Sequence, residues 1–315
     1  MGFSASITDQ SGQEGSFLTK LGLRVGALGL LAWLLIVAGP FVLAAIWPER
    51  LPAWSLMWTA AITVYAGAKL LTWSAVRGTA SVGRQLAYLL AWPGMDAAAF
   101  LGPIHRPGRR PELIEWVFAA AKLLLGVVLL VCATRYVPAE YPLAVSWVGM
   151  AGVVFVLHFG SFHLLSCAWR SLGIDANPLM DWPILSQSVS EYWGRRWNRA
   201  FRDLAHRFLF QPLTARFGAR WGLAAGFLFS GFVHDAVISL PAGGGYGLPT
   251  LFFAVQGWAM LFERSPRGKR LGLGAGWRGR AFTALTILGP APLLFHPWFL
   301  GRIVVPFVEA IGTAL

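Results

Sequence analysis

Long apolar runs alternate along this chain with short breaks rich in charge, proline or glycine. The runs fall at about residues 21–46, 54–73, 113–133, 143–167, 221–240, 248–262 and 281–295, and a last one covers 298–315. Most approach or exceed the ~20 residues that a helix needs to cross a bilayer. The apolar piece 86–92 is too short for that and reads as a re-entrant or interfacial helix. The pattern predicts an all-α polytopic membrane protein of about seven or eight transmembrane helices, with further helices at the surface. Residues 1–20 are polar and read as a tail, which leaves residues 21–315 as one membrane-embedded domain. The first apolar run follows no early basic stretch and has no cleavage signal, so it reads as a span and not as a leader.

Composition agrees. The chain of 315 residues is 56% hydrophobic and 13% charged, against about 25% charged in a soluble domain. A net charge of +12 would suggest nucleic acid in a soluble protein. Here its distribution gives another meaning. Of the 26 Lys and Arg residues, only Arg50, Arg135 and Arg302 fall on one side of the predicted layout, and Lys69 and Lys122 lie within spans. All the others collect in the N-terminal region and the connections 74–112, 168–220 and 263–280, which are therefore read as cytoplasmic. No nucleic-acid partner is expected. Cys132 and Cys167 would sit near opposite faces of the membrane, so neither a disulfide nor a cysteine metal site is expected. The glycine-rich stretch Gly268–Gly279 follows no strand and reads as a flexible linker.

Two stretches carry candidate chemistry. The first starts at Ser188-Val-Ser-Glu191, the spacing of a capping box, in which the serine hydroxyl and the glutamate carboxylate take up the first free amides of a helix. On a helix continued through Phe208, Val189, Trp193, Trp197, Phe201, Leu204 and Phe208 share one face, and Arg195, Arg196, Arg199 and Arg202 share the opposite one. Glu191–Arg195 and Arg199–Asp203 are then paired one turn apart, Arg196 is left without a partner, and Asn198 falls on the border between the faces. From the pattern alone this is either an interfacial helix whose arginines snorkel to lipid headgroups, or an anion-binding surface of arginines and stacking aromatics.

The second is His234, 13 residues beyond Trp221 in an apolar run, or roughly 20 Å into it at 1.5 Å per residue. An ionisable group at that depth faces a protein interior or an aqueous cavity. It reads equally as a general base or as a structural histidine. Asp235 points about 100° away on a helix and need not be its partner. His158 and His163 are five residues apart, a spacing that does not bring two ligands to one metal, and no metal site is expected. His206 reads as solvated, and His296 as a loop residue.

Taken together, Ser190-Glu191-Tyr192-Trp193-Gly194-Arg195-Arg196-Trp197-Asn198 and, 36 residues beyond Asn198, the histidine of Ser230-Gly231-Phe232-Val233-His234 resemble the wax synthase branch of the membrane-bound O-acyltransferase superfamily. Tyr192 stands where that branch usually has Phe. Asn177-Pro178 through Pro183 and Tyr88 through Asp96 also look like the family, and the resemblance covers about residues 85–265. It implies a helical bundle enclosing a tunnel, in which acyl-CoA arrives from the cytoplasm and a lipophilic alcohol from the membrane. His234 matches the family's catalytic histidine, and Asn198 its second signature residue. Glu191, Trp193, Arg195, Arg196 and Trp197 would receive the acyl-CoA. No cofactor is implied beyond acyl-CoA as co-substrate. The reaction expected is fatty-acyl transfer to a long-chain alcohol. Other acceptors (a sterol or diacylglycerol), acetyl-CoA as donor, and a non-catalytic transporter or scaffold are the alternatives.

Overall fold

The computed structural model describes residues 26–76, 80–104, 110–138 and 140–314. The expected polar tail and the basic loop around His105–Arg109 lie outside them. Among the described residues every regular element is helical. Helix α1 (Ala27–Val37) meets α2 (Gly39–Ile46) at a bend of 55°. Pro40 in the first turn of α2 lacks the amide that would have continued α1, so the run read as one span is broken there. Helix α3 (Ala53–Ser74) packs on α1. Two short helices follow, α4 (Val82–Ala91) and α5 (Ala97–Leu101). Then come α6 (Leu113–Arg135) and α7 (Pro142–Ser171). The latter contains a π-helical stretch, Phe155–Ser161.

Among the described residues, helices α6, α7 and Ala219–Ala242 are long and apolar enough to cross a membrane, and there are up to five such spans if each of two bent pairs counts as one. The second bent pair is Gly276–Leu294 with Pro297–Thr313, angled by 59° between the runs read as 281–295 and 298–315. Two runs read as spans are less decisive. Helix α3 has 22 residues but carries Lys69, Thr72 and Ser74 toward its end, and Leu248–Arg264 has 17 residues, about 26 Å of helix.

Close crossings between the long helices depend on small residues, as they do where lipid offers no hydrophobic drive for association. A Cβ at Gly126 of α6 would meet the Val156 backbone nitrogen at 2.5 Å and the Gly152 oxygen at 2.9 Å, so α6 and α7 touch backbone to backbone. Lys69, 2% exposed, donates to the carbonyls of Trp92 (2.9 Å) and Gly94 (2.8 Å) and lies 3.2 Å from the centroid of the Tyr88 ring. It therefore ties α3 to the family-like stretch Tyr88–Asp96. The piece read as re-entrant or interfacial belongs to a buried cluster of Tyr88, Trp92, Phe100, Leu179 and Ala200. Cys132 and Cys167 are free thiols.

Candidate active site

The stretch 188–217 is not one amphipathic helix. It opens as a single turn, α8 (Val189–Glu191), continues as the π-helical Tyr192–Arg196, and breaks at Trp197 and Asn198. Trp197 is extended, and Asn198 takes a left-handed conformation at φ 39°. Asparagine is one of the few residues that adopts it readily. The chain then resumes as α9 (Arg199–Ala205), a π-helical His206–Phe210 and α10 (Gln211–Phe217). Segment 179–181 fills the break: Asp181 N–H donates to the Arg196 carbonyl (2.8 Å) and Arg199 N–H to the Leu179 carbonyl (3.0 Å). Asn198 Oδ1 accepts from Phe201 N–H and caps α9.

These departures from regular α-helix re-pair the charges. The Ser188 hydroxyl accepts from Glu191 N–H at 2.9 Å, as the capping box requires. The Glu191 carboxylate does not return to Ser188. It accepts from Gln187 N–H (2.8 Å) and Arg196 Nε (2.7 Å), and these bonds, the amide first, hold its carboxyl below the usual range. The wider π-turn brings the fifth residue onward over Glu191, so Arg196 is its partner in place of Arg195. Arg202 and not Arg199 pairs with Asp203.

The start of α8 is held by a residue 74 positions away. Glu263, 4% exposed in helix α12 (Leu248–Arg264), accepts from the amides of Val189 (2.6 Å) and Ser190 (3.4 Å). Sequence spacing gave no signal for this clamp.

Helix α11 (Ala219–Ala242) runs antiparallel to α12, with Gly231 against Thr250 and Phe227 against Gly257. The two helices and the stretch 190–210 enclose a cavity of about 630 Å³. Trp193, Trp197, Asn198 and His234 all line it. Glu191, Arg195 and Arg196 do not: the first and last bond to each other, and Arg195 is exposed elsewhere. Sequence reasoning missed Arg202, His206, Ser230, Phe253 and Arg264 as lining residues. Arg202 lay on the wrong face of a helix assumed continuous.

His234 Nδ1 lies 2.7 Å from the Ser230 carbonyl, which only accepts, so this nitrogen carries the proton and Nε2 keeps the lone pair. Its ring rests on Phe253 with centroids 4.5 Å apart. Trp193 is fixed by a bond from its indole N–H to Gln256 (3.3 Å) and by packing on Phe227 and Phe253. Trp197 stacks on Tyr192 with planes 10° apart. Asp235 takes no part in orienting His234. Its carboxylate accepts from Ser239 Oγ (2.9 Å), Gly247 N–H (2.8 Å), and the amide (3.0 Å) and hydroxyl of Thr250, and so fixes the turn into α12.

The remaining histidines lie in other surroundings. His206 is exposed, lines the cavity and stacks on Phe210. His296 is not a surface loop residue. It is fully buried, because Nδ1 caps the helix that starts at Pro297 (3.2 Å to Phe299 N) and Nε2 meets Ser239. His158 and His163 do not line the cavity. His163 joins Lys122 (2.7 Å) and Glu115 (3.0 Å), and Arg170 also pairs with Glu115. Ligand atoms of Glu115, His163 and Cys167 come within 4.8 Å of one another, but a cation among them would face the charges of Lys122 and Arg170. The stretch expected to be a flexible linker holds the short helix Pro266–Arg270, capped by Ser265, and the first turn of the next.

Comparison with known proteins meets this geometry. A stretch of 76 residues is 33% identical to a long-chain-alcohol O-fatty-acyltransferase of Simmondsia chinensis, and the match covers 22% of this chain and 22% of that relative. Residues 176–255 match the sequence model of the membrane bound O-acyl transferase family. The part of the chain that carries Trp193, Asn198 and His234 is therefore the part that is similar to the membrane bound O-acyl transferase family.

Proposed function

We propose that this protein is a multi-pass membrane acyltransferase that moves a fatty acyl group from acyl-CoA to the hydroxyl of a lipophilic alcohol. The default acceptor is a long-chain alcohol. The positive charge of the connections supports a cytoplasmic position for them, and the donor enters from that side. The full bundle is read as seven or eight spans around a tunnel. The observation that carries the reading is a histidine with a free Nε2 in a largely apolar cavity that the Trp193–Asn198 segment also lines.

The chemistry follows from the tautomer. His234 Nε2 takes the hydroxyl proton as the alcohol oxygen attacks the thioester carbonyl carbon. The Ser230 carbonyl steadies the imidazolium through Nδ1–H. The tetrahedral intermediate collapses, the C–S bond breaks, and the departing sulfur takes the proton back from Nε2. The products are an ester and a free thiol, with no acyl-enzyme between. Oδ1 of Asn198 is committed to its cap, so its Nδ2 hydrogens are the donors it has for the developing oxyanion.

Asn198 permits a clean separation of roles. Asn198→Gly keeps the left-handed conformation and costs a few tenths of a kcal/mol as a helix cap. Asn198→Ala loses the cap, about 1 kcal/mol, and strains the backbone by roughly 1–2 kcal/mol. Thermal unfolding is expected to separate the two variants, while kcat falls in both by about 10²-fold, the cost of one oxyanion donor. Full activity in Asn198→Gly would limit Asn198 to its backbone role.

The function itself is tested by supplying purified protein in detergent with acyl-CoA and a panel of alcohols, a sterol and diacylglycerol, and measuring free thiol. Release that depends on an alcohol supports the reading. Uptake of any of these compounds into vesicles without thioester consumption would make the protein a transporter.

A further inference from the structure

The cavity has a direction. Helix α11 enters it at Gly222, and His234 lies 12 residues further on, about 18 Å along the axis. The antiparallel register of α12, with Phe227 against Gly257 and Gly231 against Thr250, brings Arg264 to the Gly222 end and Phe253 to the His234 end. Between the two ends α11 presents Gly222, Gly226 and Ser230 to the cavity at intervals of four residues. A Cβ added at Gly226 would meet nothing within 4 Å, so packing does not demand glycine there, and its absence of side chain leaves the passage open. A long, narrow ligand fits such a path better than a compact one.

The charges at the outer end are unequal. Arg202 is fully committed: Nε and Nη2 bond Asp203, and Nη1 donates to the Gly194 carbonyl at 2.9 Å. Arg264 is fixed at one point, where Nε donates to Ser190 Oγ at 2.9 Å. Among the described residues no partner takes its Nη1 and Nη2. Its neighbour Glu263 is turned onto the amides of Val189 and Ser190 and does not neutralise it. Arg264 is exposed and lines the cavity. It also lies beyond the residues 176–255 that match the family.

We propose that Arg264 grips a phosphate of the thioester donor, with Nε held by Ser190 and the two Nη groups presented as a fork to the anion. The inference rests on the acyl-transfer reading above. It assigns the anion contact to Arg264, on a helix outside the Trp193–Asn198 signature, in place of Arg195 and Arg196. The donor's uncharged arm then lies along Gly222 and Gly226, and its thioester reaches Nε2 of His234.

The test compares two donors that share one thioester: hexadecanoyl-CoA and hexadecanoyl-pantetheine, which has no phosphate. Full-length protein in detergent is assayed with one alcohol. Wild type is expected to prefer the CoA ester, read as the ratio of kcat/KM values. Arg264→Ala is expected to reduce that preference about tenfold, the scale of one charge-assisted contact, chiefly through KM. Arg264→Lys is expected to restore most of it. Because Arg264 is exposed, neither change removes core packing. An equal loss with both donors would make Arg264 a purely structural contact to Ser190. Unchanged kcat/KM values with both donors would assign it to lipid headgroups or to nothing. Either result overturns the inference while leaving acyl transfer standing. If wild type uses neither thioester, the reading beneath it fails instead.

Discussion

Replacing His234 with alanine is expected to abolish thioester-dependent ester formation, with a fall of at least about 10²–10⁴-fold from the loss of the general base alone. The structure argues for more than a lost titratable group. Nδ1–H is fixed on the Ser230 carbonyl and the ring is held by Phe253, so one tautomer and one orientation are prepared before substrate arrives. A His234→Gln variant keeps an amide that can still bond Ser230, yet has no basic nitrogen. It is expected to be as inactive as the alanine variant while unfolding at nearly the wild-type temperature. Activity retained in His234→Gln would mean that the residue orients substrate and does not move a proton.

The second large effect is expected at Glu263, a residue that takes no part in the chemistry. Its buried carboxylate accepts the Val189 and Ser190 amides and so anchors the start of the segment that carries Trp193, Trp197 and Asn198. Val189 is fully buried, so in Glu263→Ala its amide loses a charged acceptor with no water to replace it. A buried donor left unpaired costs about 1–3 kcal/mol. Amide exchange should speed up over residues 188–198 and stay slow across α6 and α7, which do not touch this clamp. Glu263→Gln keeps one oxygen and is expected to recover roughly half of the loss. If exchange in 188–198 is unchanged in Glu263→Ala, the segment is held by its apolar packing on Ala259 and Met260 and not by the carboxylate.

Much of the helical layout was readable from hydrophobic patterning, because a run of apolar residues long enough to span a bilayer leaves the backbone few alternatives. Pro297 marks the bend between the runs 281–295 and 298–315, whereas the bend at Pro40 falls inside a run that was read as one span. His234 was legible as an isolated imidazole within an apolar run. The stretch 190–210 that lines the same cavity was not. A helical wheel over 189–208 assumes 3.6 residues per turn throughout, and two π-helical turns and a left-handed Asn198 rotate each later residue away from its expected face. That is why Arg202 lines the cavity while Arg195 and Arg196 lie outside it. The partner of Arg196 likewise depended on a π-turn that local composition does not announce. Glu263 and Arg264 were the hardest to find. They act on the same stretch from a helix more than 70 positions downstream, and nothing in a single sequence pairs residues at that separation.

The proposed transfer consumes a thioester and forms an ester within one cavity. The most direct measurement supplies the purified chain with hexadecanoyl-CoA and a long-chain alcohol, and quantifies ester by mass spectrometry alongside free thiol. The prediction is equal amounts of ester and thiol, both absent without alcohol and both lost in His234→Gln. Thiol released without ester, or ester formed undiminished by His234→Gln, would contradict it.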